Sequence, residues 1–345
     1  AGLFMGTPAS INAKEEAEYV QNHLESTGGG GSGEETARVL RETVKALNEK
    51  LKGERSKATR EAIKKLEKDC LPRLEKYEEQ QEVLDGRKSY SKTDPDATCM
   101  RMKEDRGAEK AWPKPAYNVQ LGTEGQFVVG YSVHNYSSDP ICLLPHFEKL
   151  KHKPKNAVTD AAYGSEENYA YLEQHQLGNY LKYPTFYQDT HRYRNPEIIR
   201  MHSFRADHFE YDPDTDQFIC PNKQRLGYLF TGKYKTQNGY ESTRRHYECA
   251  NCQDCPLKSQ CTKAKGNRRI QVSFKLIEYR RQARENLTSE KGQALRKQRS
   301  VEVETVFGNI KHNMRFRRFH LRGLEKVNTE WGLVCIAHNM RKLAS

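Results

Sequence analysis

The chain has 345 residues, 35% of them hydrophobic and 30% charged, with a mean hydropathy of −0.96. Its apolar runs fall far short of the ~18 residues a membrane-spanning helix needs, and no charged-then-apolar leader with a small-residue cleavage site opens it, which argues against a membrane span and against secretion. Residues 262–345 hold 20 Lys and Arg against 7 Asp and Glu, a net of +13, whereas the other 261 residues net −1; the expectation is a polyanionic partner on the C-terminal quarter, nucleic acid before membrane, with a merely soluble basic surface as the alternative.

The chain opens with a short apolar stretch over residues 1–13 and no starting Met, as if sequence upstream had been lost. Residues 14–26 carry Ala17, Val20 and Leu24 at helical spacing. The Gly-rich run 28–33 is a flexible linker by composition, long enough to join two helix ends packed side by side, and natural and engineered origins both suit it. Over residues 34–84, Leu40, Val44, Leu47 and Leu51 form one narrow apolar stripe, and Ile63, Leu66, Cys70 and Leu74 another; Gly53 separates them. Narrow seams on charged helices predict a helical hairpin or short coiled coil, with Pro72 kinking the second helix or opening a new one.

From Ser89 the texture changes. Asp94-Pro95-Asp96 is a turn, and residues 117–121 and 127–133 read as two strands joined by a Gly-containing connection, 123–126. A helix is expected over 141–150, then a short strand, 155–160, ending in Asp160, and then a helix N-capped by Ser165 that runs through Leu172. Residues 185–270 read as loop-rich, aromatic and polar; residues 275–345 return to helix, with Val303, Val306, Phe307 and Ile310 on one apolar face and Leu324, Val327, Trp331, Val334 and His338 on another.

Nine cysteines are present, four of them within residues 249–261. An odd count clustered in this way points to metal binding in a reducing compartment and away from a disulfide framework. Cys252 and Cys255, two residues apart, can reach one ion, and Cys220 with Cys261 can complete a tetrahedral thiolate set, which leaves Cys249 over. Zn²⁺ and an iron–sulfur cluster both accept four thiolates, and either would serve to fold a small subdomain.

Two carboxylates stand out. Asp160 ends a strand just before a Gly-containing turn, where mixed α/β folds place their sites, and as a hard oxygen donor it suits Mg²⁺; the plain alternative is a turn or N-cap aspartate. Glu304, Gly308 and Lys311 share a helix face: Gly308 removes bulk beside the carboxylate, and Lys311 lies two turns on, within reach of a phosphate. Glu302, on a different face, reads as a solvated glutamate. Beyond them Arg315, Arg317, Arg318 and Arg322 alternate with Phe316 and Phe319, a pattern suited to a phosphate backbone with stacking on exposed bases, or simply to a basic helix end.

Taken together, the runs 91–97 (SKTDPDA), 117–120 (YNVQ), 160–168 (DAAYGSEEN), 252–261, 303–311 (VETVFGNIK), 321–327 (LRGLEKV) and 337–343 (AHNMRKL) resemble bacterial insertion-sequence transposases of the DDE class, in order over residues 75–345. The resemblance implies an α/β (mixed α+β) fold similar to ribonuclease H, a mixed sheet flanked by helices and interrupted by a helical hairpin and a small Cys-rich metal-binding insertion. The implied segments are 1–13 (a remnant of the first core strand), 14–88 (the hairpin), 89–184 (core), 185–270 (Cys-rich insertion) and 271–345 (basic helices completing the core). It implies a carboxylate triad holding two Mg²⁺ (or Mn²⁺) ions for in-line phosphoryl transfer, with Asp160 as the second acid and Glu304 as the glutamate. The first acid would stand in the run 3–7 (LFMGT), and residues 1–13 contain no Asp or Glu. Asp94 and Asp96 are the conceivable substitutes; the preferred reading is a chain truncated or altered there, with doubtful activity. The implied partners are double-stranded DNA (the element's terminal inverted repeats and target DNA) and further copies of the chain, in the bacterial cytoplasm and on the nucleoid. A non-catalytic DNA-binding protein with a structural metal site, and a metal-dependent nuclease of the same fold, are the alternatives.

Overall fold

The structure is a computed structural model that describes residues 71–102, 112–191 and 203–344, together with positions 42, 45, 46, 64, 68, 197 and 199. It divides into two compact units, 1–90 and 91–345. The first-strand remnant, the Gly-rich linker and most of both helical seams lie outside the described residues. In the first unit the described helix α1 spans Leu71–Leu84 and includes Pro72.

In the second unit the chain forms a small antiparallel pair, β1 (Thr98–Met100) with β2 (Lys114–Ala116), and then the hairpin β3 (Asn118–Glu124) and β4 (Phe127–His134). Gly125 and Gln126 turn this hairpin with φ of 57° and 64°, the left-handed pair that a two-residue turn between twisted strands requires. Helix α2 (Asp139–Lys149) returns the chain to β5 (Asn156–Thr159), and α3 (Glu166–Gln174) crosses over to β6 (Gly178–Leu181), which pairs parallel to β5. These elements match the expected ones to within a few residues. Among the described residues β3–β4 and β5–β6 are separate two-stranded sheets, whereas the sequence reading places all of them in one mixed sheet; the strand expected to join that sheet belongs to residues 1–13, outside the described residues.

After the short helix α4 (Phe186–Thr190) comes the largest departure from expectation. The segment read as loop-rich holds a five-stranded antiparallel sheet, in spatial order β11-β10-β9-β8-β7, made of β7 (Glu210–Asp212), β8 (Gln217–Ile219), β9 (Arg225–Lys235), β10 (Glu241–Cys249) and β11 (Arg269–Val272). Phe209, Phe218, Leu226, Tyr247, Ile270 and Val272 build a core at one end of the sheet, while further along β9 Tyr228, Leu229 and Phe230 stay exposed and the tip of the β9–β10 arm is polar. The short helix α5 (Lys258–Cys261) closes the cysteine run.

Helix α6 (Phe274–Thr288) puts Tyr279 and Ala283 against Leu143, Phe147, Ala157, Tyr169, Leu172 and Leu181, so that α2, α3, β5, β6 and α6 share one core. Next comes a helical run of four pieces: α7 (Glu290–Arg299), a π-helical turn (Ser300–Glu304), α8 (Thr305–Gly308) and a second π-helical turn (Asn309–Asn313). Its fully buried Val306 and Ile310 join Val128, Val133, Val327, Trp331 and Cys335 in a second core beneath the terminal helix α9 (Leu324–Leu343). The AHNMRKL run shows its purpose here. Asn339 both donates to and accepts from the backbone of Val128 at 2.9 Å, sealing the edge of β4, while His338 bridges the Gln126 carbonyl (3.0 Å) and the Asn309 side chain (2.8 Å).

Candidate active site

Asp160 leaves the C-terminal end of β5 and caps the 3₁₀ turn Ala161–Tyr163, its Oδ1 accepting from the Ala161 N–H at 2.7 Å. The rest of the DAAYGSEEN run anchors this turn on four sides. Gly164 lies against the backbone of β6's end, where a Cβ would sit 2.5 Å from the Lys182 carbonyl oxygen, so no side chain fits. Ser165 caps α3 through the Asn168 N–H, and the Asn168 amide donates to the carbonyls of Pro140 (3.1 Å) and Tyr163 (2.8 Å). Glu166 accepts from Tyr240 (3.0 Å) and Ser242 (2.8 Å), and Glu167 from Thr236 (3.2 Å), binding the β9–β10 arm to the helix next to Asp160. Both glutamates are buried, and burial holds the Glu167 carboxyl above the ordinary carboxylate range. Beyond Asp160, the turn and the Ser165 cap, sequence reading finds no role in this run, because the hydroxyls that bond Glu166 and Glu167 come from a hairpin some seventy residues on.

Glu304 closes the first π-helical turn. A turn of this kind bonds residue i to i+5, which brings residues five apart onto one face, and Arg299 and Glu304 are such a pair. Arg299, at the end of α7, lies 3.5 Å from Glu304 Oε1 and 3.7 Å from Asp160 Oδ2. One guanidinium therefore touches two carboxylates that are 144 residues apart in sequence. Both acids are open to solvent, with side chains 59% (Asp160) and 68% (Glu304) exposed, whereas Arg299 is 14% exposed and lies beneath them. Sequence reading does not single out Arg299; only the π-helical turn makes it a neighbour of Glu304.

Gly308 faces open space, since a Cβ there would meet no atom within 4 Å. Lys311 is exposed, its ammonium 5.7 Å from the centre of the Phe307 ring. Glu302 is not the free surface glutamate expected of it: its carboxylate accepts from the backbone N–H groups of Gly125 (3.1 Å) and Gln126 (2.6 Å) and so holds the left-handed hairpin turn. Asp94 and Asp96 are committed elsewhere too. Asp94 accepts from the Tyr117 hydroxyl (2.9 Å) and the Gly323 N–H (3.1 Å), and Asp96 from the Leu324 N–H (2.7 Å), so the two acids cap the N-terminus of α9.

Lys311 within the run and Arg315, Arg317, Arg318 and Arg322 beyond it are all exposed, and Arg322 also donates to the Thr93 carbonyl at 3.4 Å. The interleaved aromatics point the other way. Phe316 and Phe319 pack on Trp331, with ring centres 5.8 and 6.1 Å from it, and Phe319 meets Tyr117 edge-on at 6.2 Å. They pin the arginine-bearing loop to α9 and are not set out for stacking on bases.

Cys220, Cys252, Cys255 and Cys261 line one pocket together with Cys249, the cysteine left over in the sequence reading. The Arg268 N–H points at Cys252 Sγ (3.4 Å) and the Asn222 amide at Cys255 Sγ (3.5 Å), donors of the kind that steady a thiolate. All five are free thiols, and burial pushes the Cys249 thiol up to about 12. The donor set is soft and suited to Zn²⁺ or an iron–sulfur cluster. Among the described residues, however, the one group with three ligand atoms within 4.8 Å of each other is Asp189, Asp207 and His208, and there Arg205 already pairs with both aspartates.

No curated protein and no solved structure matches the chain, and no described helix is long and apolar enough to cross a membrane. Residues 219–344, a stretch that contains the cysteine pocket, the Glu304 run and α9 but not Asp160, match the family model of the transposase DDE domain, which identifies the chain as similar to the DDE-class transposases that its motifs resemble.

Proposed function

We propose that the chain is the catalytic part of a bacterial insertion-sequence transposase, with a ribonuclease H-like core in which Asp160 and Glu304 are two acids of the catalytic triad. The observation that carries this reading is the shared guanidinium of Arg299: one cation meets both acids, so both lie within reach of a common charge. Two hard carboxylates suit Mg²⁺ or Mn²⁺, which take one or two protein carboxylates and fill the remaining positions with water and phosphate oxygens. A bound divalent ion supplies Lewis-acid stabilisation of the phosphoryl group and of the leaving oxygen. Asp160 and Glu304 hold it there, Gly308 leaves room for a DNA backbone beside Glu304, and Lys311, Arg315, Arg317, Arg318 and Arg322 bind phosphates. The cysteine pocket, loaded with Zn²⁺ or an iron–sulfur cluster, fixes the 210–272 sheet, which the Glu166 and Glu167 bonds tie to the Asp160 helix. The partners are the element's terminal repeats, target DNA and further copies of the chain.

Residues 1–13 contain no Asp or Glu, so the test includes a chain in which an acid is supplied there. The test is Mn²⁺-dependent nicking of duplex DNA by the chain as it stands, by a chain with Asp inserted between Met5 and Gly6, and by that chain with Asp160→Ala or Glu304→Gln. The expected result is cleavage by the inserted chain and loss of at least a hundredfold in either variant, with strand-transfer products separating transposition from simple nuclease action. Cleavage that survives both substitutions removes these residues from the site.

A further inference from the structure

Arg299 stands out among the charged groups near the acids because it cannot be quieted. A guanidinium stays protonated at any pH a protein survives, and this one is 14% exposed, with its charge held against Asp160 and Glu304 from below. Its two contacts run at 3.5 and 3.7 Å, well outside the ~2.7–2.9 Å of a charge-assisted hydrogen bond. It therefore neutralises the pair without being locked to either acid. A divalent ion drawn to the same two carboxylates lies within a few ångströms of that buried positive charge.

Two effects of Arg299 on such an ion oppose each other. By drawing the carboxylates together it pre-organises the ligands; by its own charge it repels the ion. Exposure decides between them. The acids are 59% and 68% exposed, so water already screens their mutual repulsion, and little is gained by holding them together. The guanidinium is largely out of water, where a charge acts through a lower effective dielectric and is screened much less. Repulsion dominates.

Resting on the assignment of Asp160 and Glu304 as metal ligands, we infer that Arg299 is a built-in counter-cation of the metal-free site, a positioning residue that competes with the divalent ion for the two carboxylates.

The test is Mn²⁺ binding by the full chain, followed through the electron paramagnetic resonance signal of free Mn²⁺, which registers weak sites, with circular dichroism confirming that each variant is folded. Arg299→Gln and Arg299→Met, both close in length and uncharged, are expected to bind Mn²⁺ about tenfold more tightly than the parent, and Arg299→Lys, which keeps the charge, to stay within about threefold of it. Equal or weaker binding by both uncharged variants overturns the inference. Asp160→Ala and Glu304→Gln test the underlying assignment separately: if neither lowers Mn²⁺ binding by the parent, the metal ligands lie elsewhere and the counter-cation reading falls with them.

Discussion

Asp94 and Asp96 sit in the one acidic turn near the start of the second unit, and composition alone makes them candidates for a missing catalytic acid. Their partners decide the matter. Asp96 accepts the first free N–H of α9, while Asp94 is buried and holds both the Gly323 N–H and the Tyr117 hydroxyl, whose proton burial and the adjacent carboxylate hold well above its ordinary range. Loss of an N-cap costs about 1 kcal/mol, so Asp96→Ala should lower the thermal midpoint by roughly 2–4 °C. Asp94→Ala should cost about 1–3 kcal/mol, because it also leaves a half-buried hydroxyl without an acceptor. In both variants Mn²⁺ binding measured on the folded protein should match the parent's, whereas Asp160→Ala should lose it. A metal defect in Asp96→Ala that matches its stability defect would return this turn to the site.

At the scale of elements, the hairpin β3–β4 shows how much of the fold a sequence carries. Alternating apolar residues and a glycine fix both strands and their turn, and Ser165 marks the start of α3 as expected. What the pattern does not carry is the use of polar residues across long separations. Glu302 reads as surface until the turn at Gly125 and Gln126 presents two N–H groups to it, and the five-stranded sheet hides in a polar stretch because only one end of it has a core. The same limit conceals a charge-sensitive element beneath β4. Ser132 is fully buried between His134 Nε2 (2.7 Å) and His146 Nδ1 (2.8 Å), joining β4 to α2. Burial, with Lys149 nearby, lowers both rings to about 4 from an ordinary 6.5. A ring that stays neutral in the fold but charges readily in the unfolded chain favours unfolding in acid, so the stability present above pH 6.5 is lost as pH falls toward 4. Between pH 7 and pH 5 the two rings together should remove about 3–4 kcal/mol from the urea unfolding free energy. In His134→Gln, where one titration is gone, that difference should shrink by about half; an unchanged pH slope would mean that other groups carry the acid lability.

For the whole molecule, the question is where the C-terminal excess of positive charge acts. The resemblance to transposases is legible because several motifs are long and fall in order, but it says nothing of which side each residue of a motif faces. The structure separates them along residues 314–322: Met314, Phe316 and Phe319 turn inward beneath α9, and Arg315, Arg317 and Arg318 turn outward on the loop that follows the Glu304 run. The aromatics therefore fix the loop, and the arginines are left for a partner. If that partner is the backbone of duplex DNA, binding should weaken steeply with salt, because each phosphate neutralised releases condensed counterions. Replacing Arg315, Arg317 and Arg318 together by Ala should then reduce the slope of log K against log salt by about 0.9 for each phosphate no longer neutralised, with one phosphate per arginine as the upper limit. The thermal midpoint should move little, since none of the three is in the core. Replacing Phe316 by Ala should do the reverse, costing about 3 kcal/mol or less of stability for a half-buried ring while leaving the slope intact in the protein that remains folded. An unchanged slope in the triple arginine variant would move the DNA surface off this loop, and the exposed cations of the β9–β10 arm, Lys233 and Lys235, would be the next to neutralise.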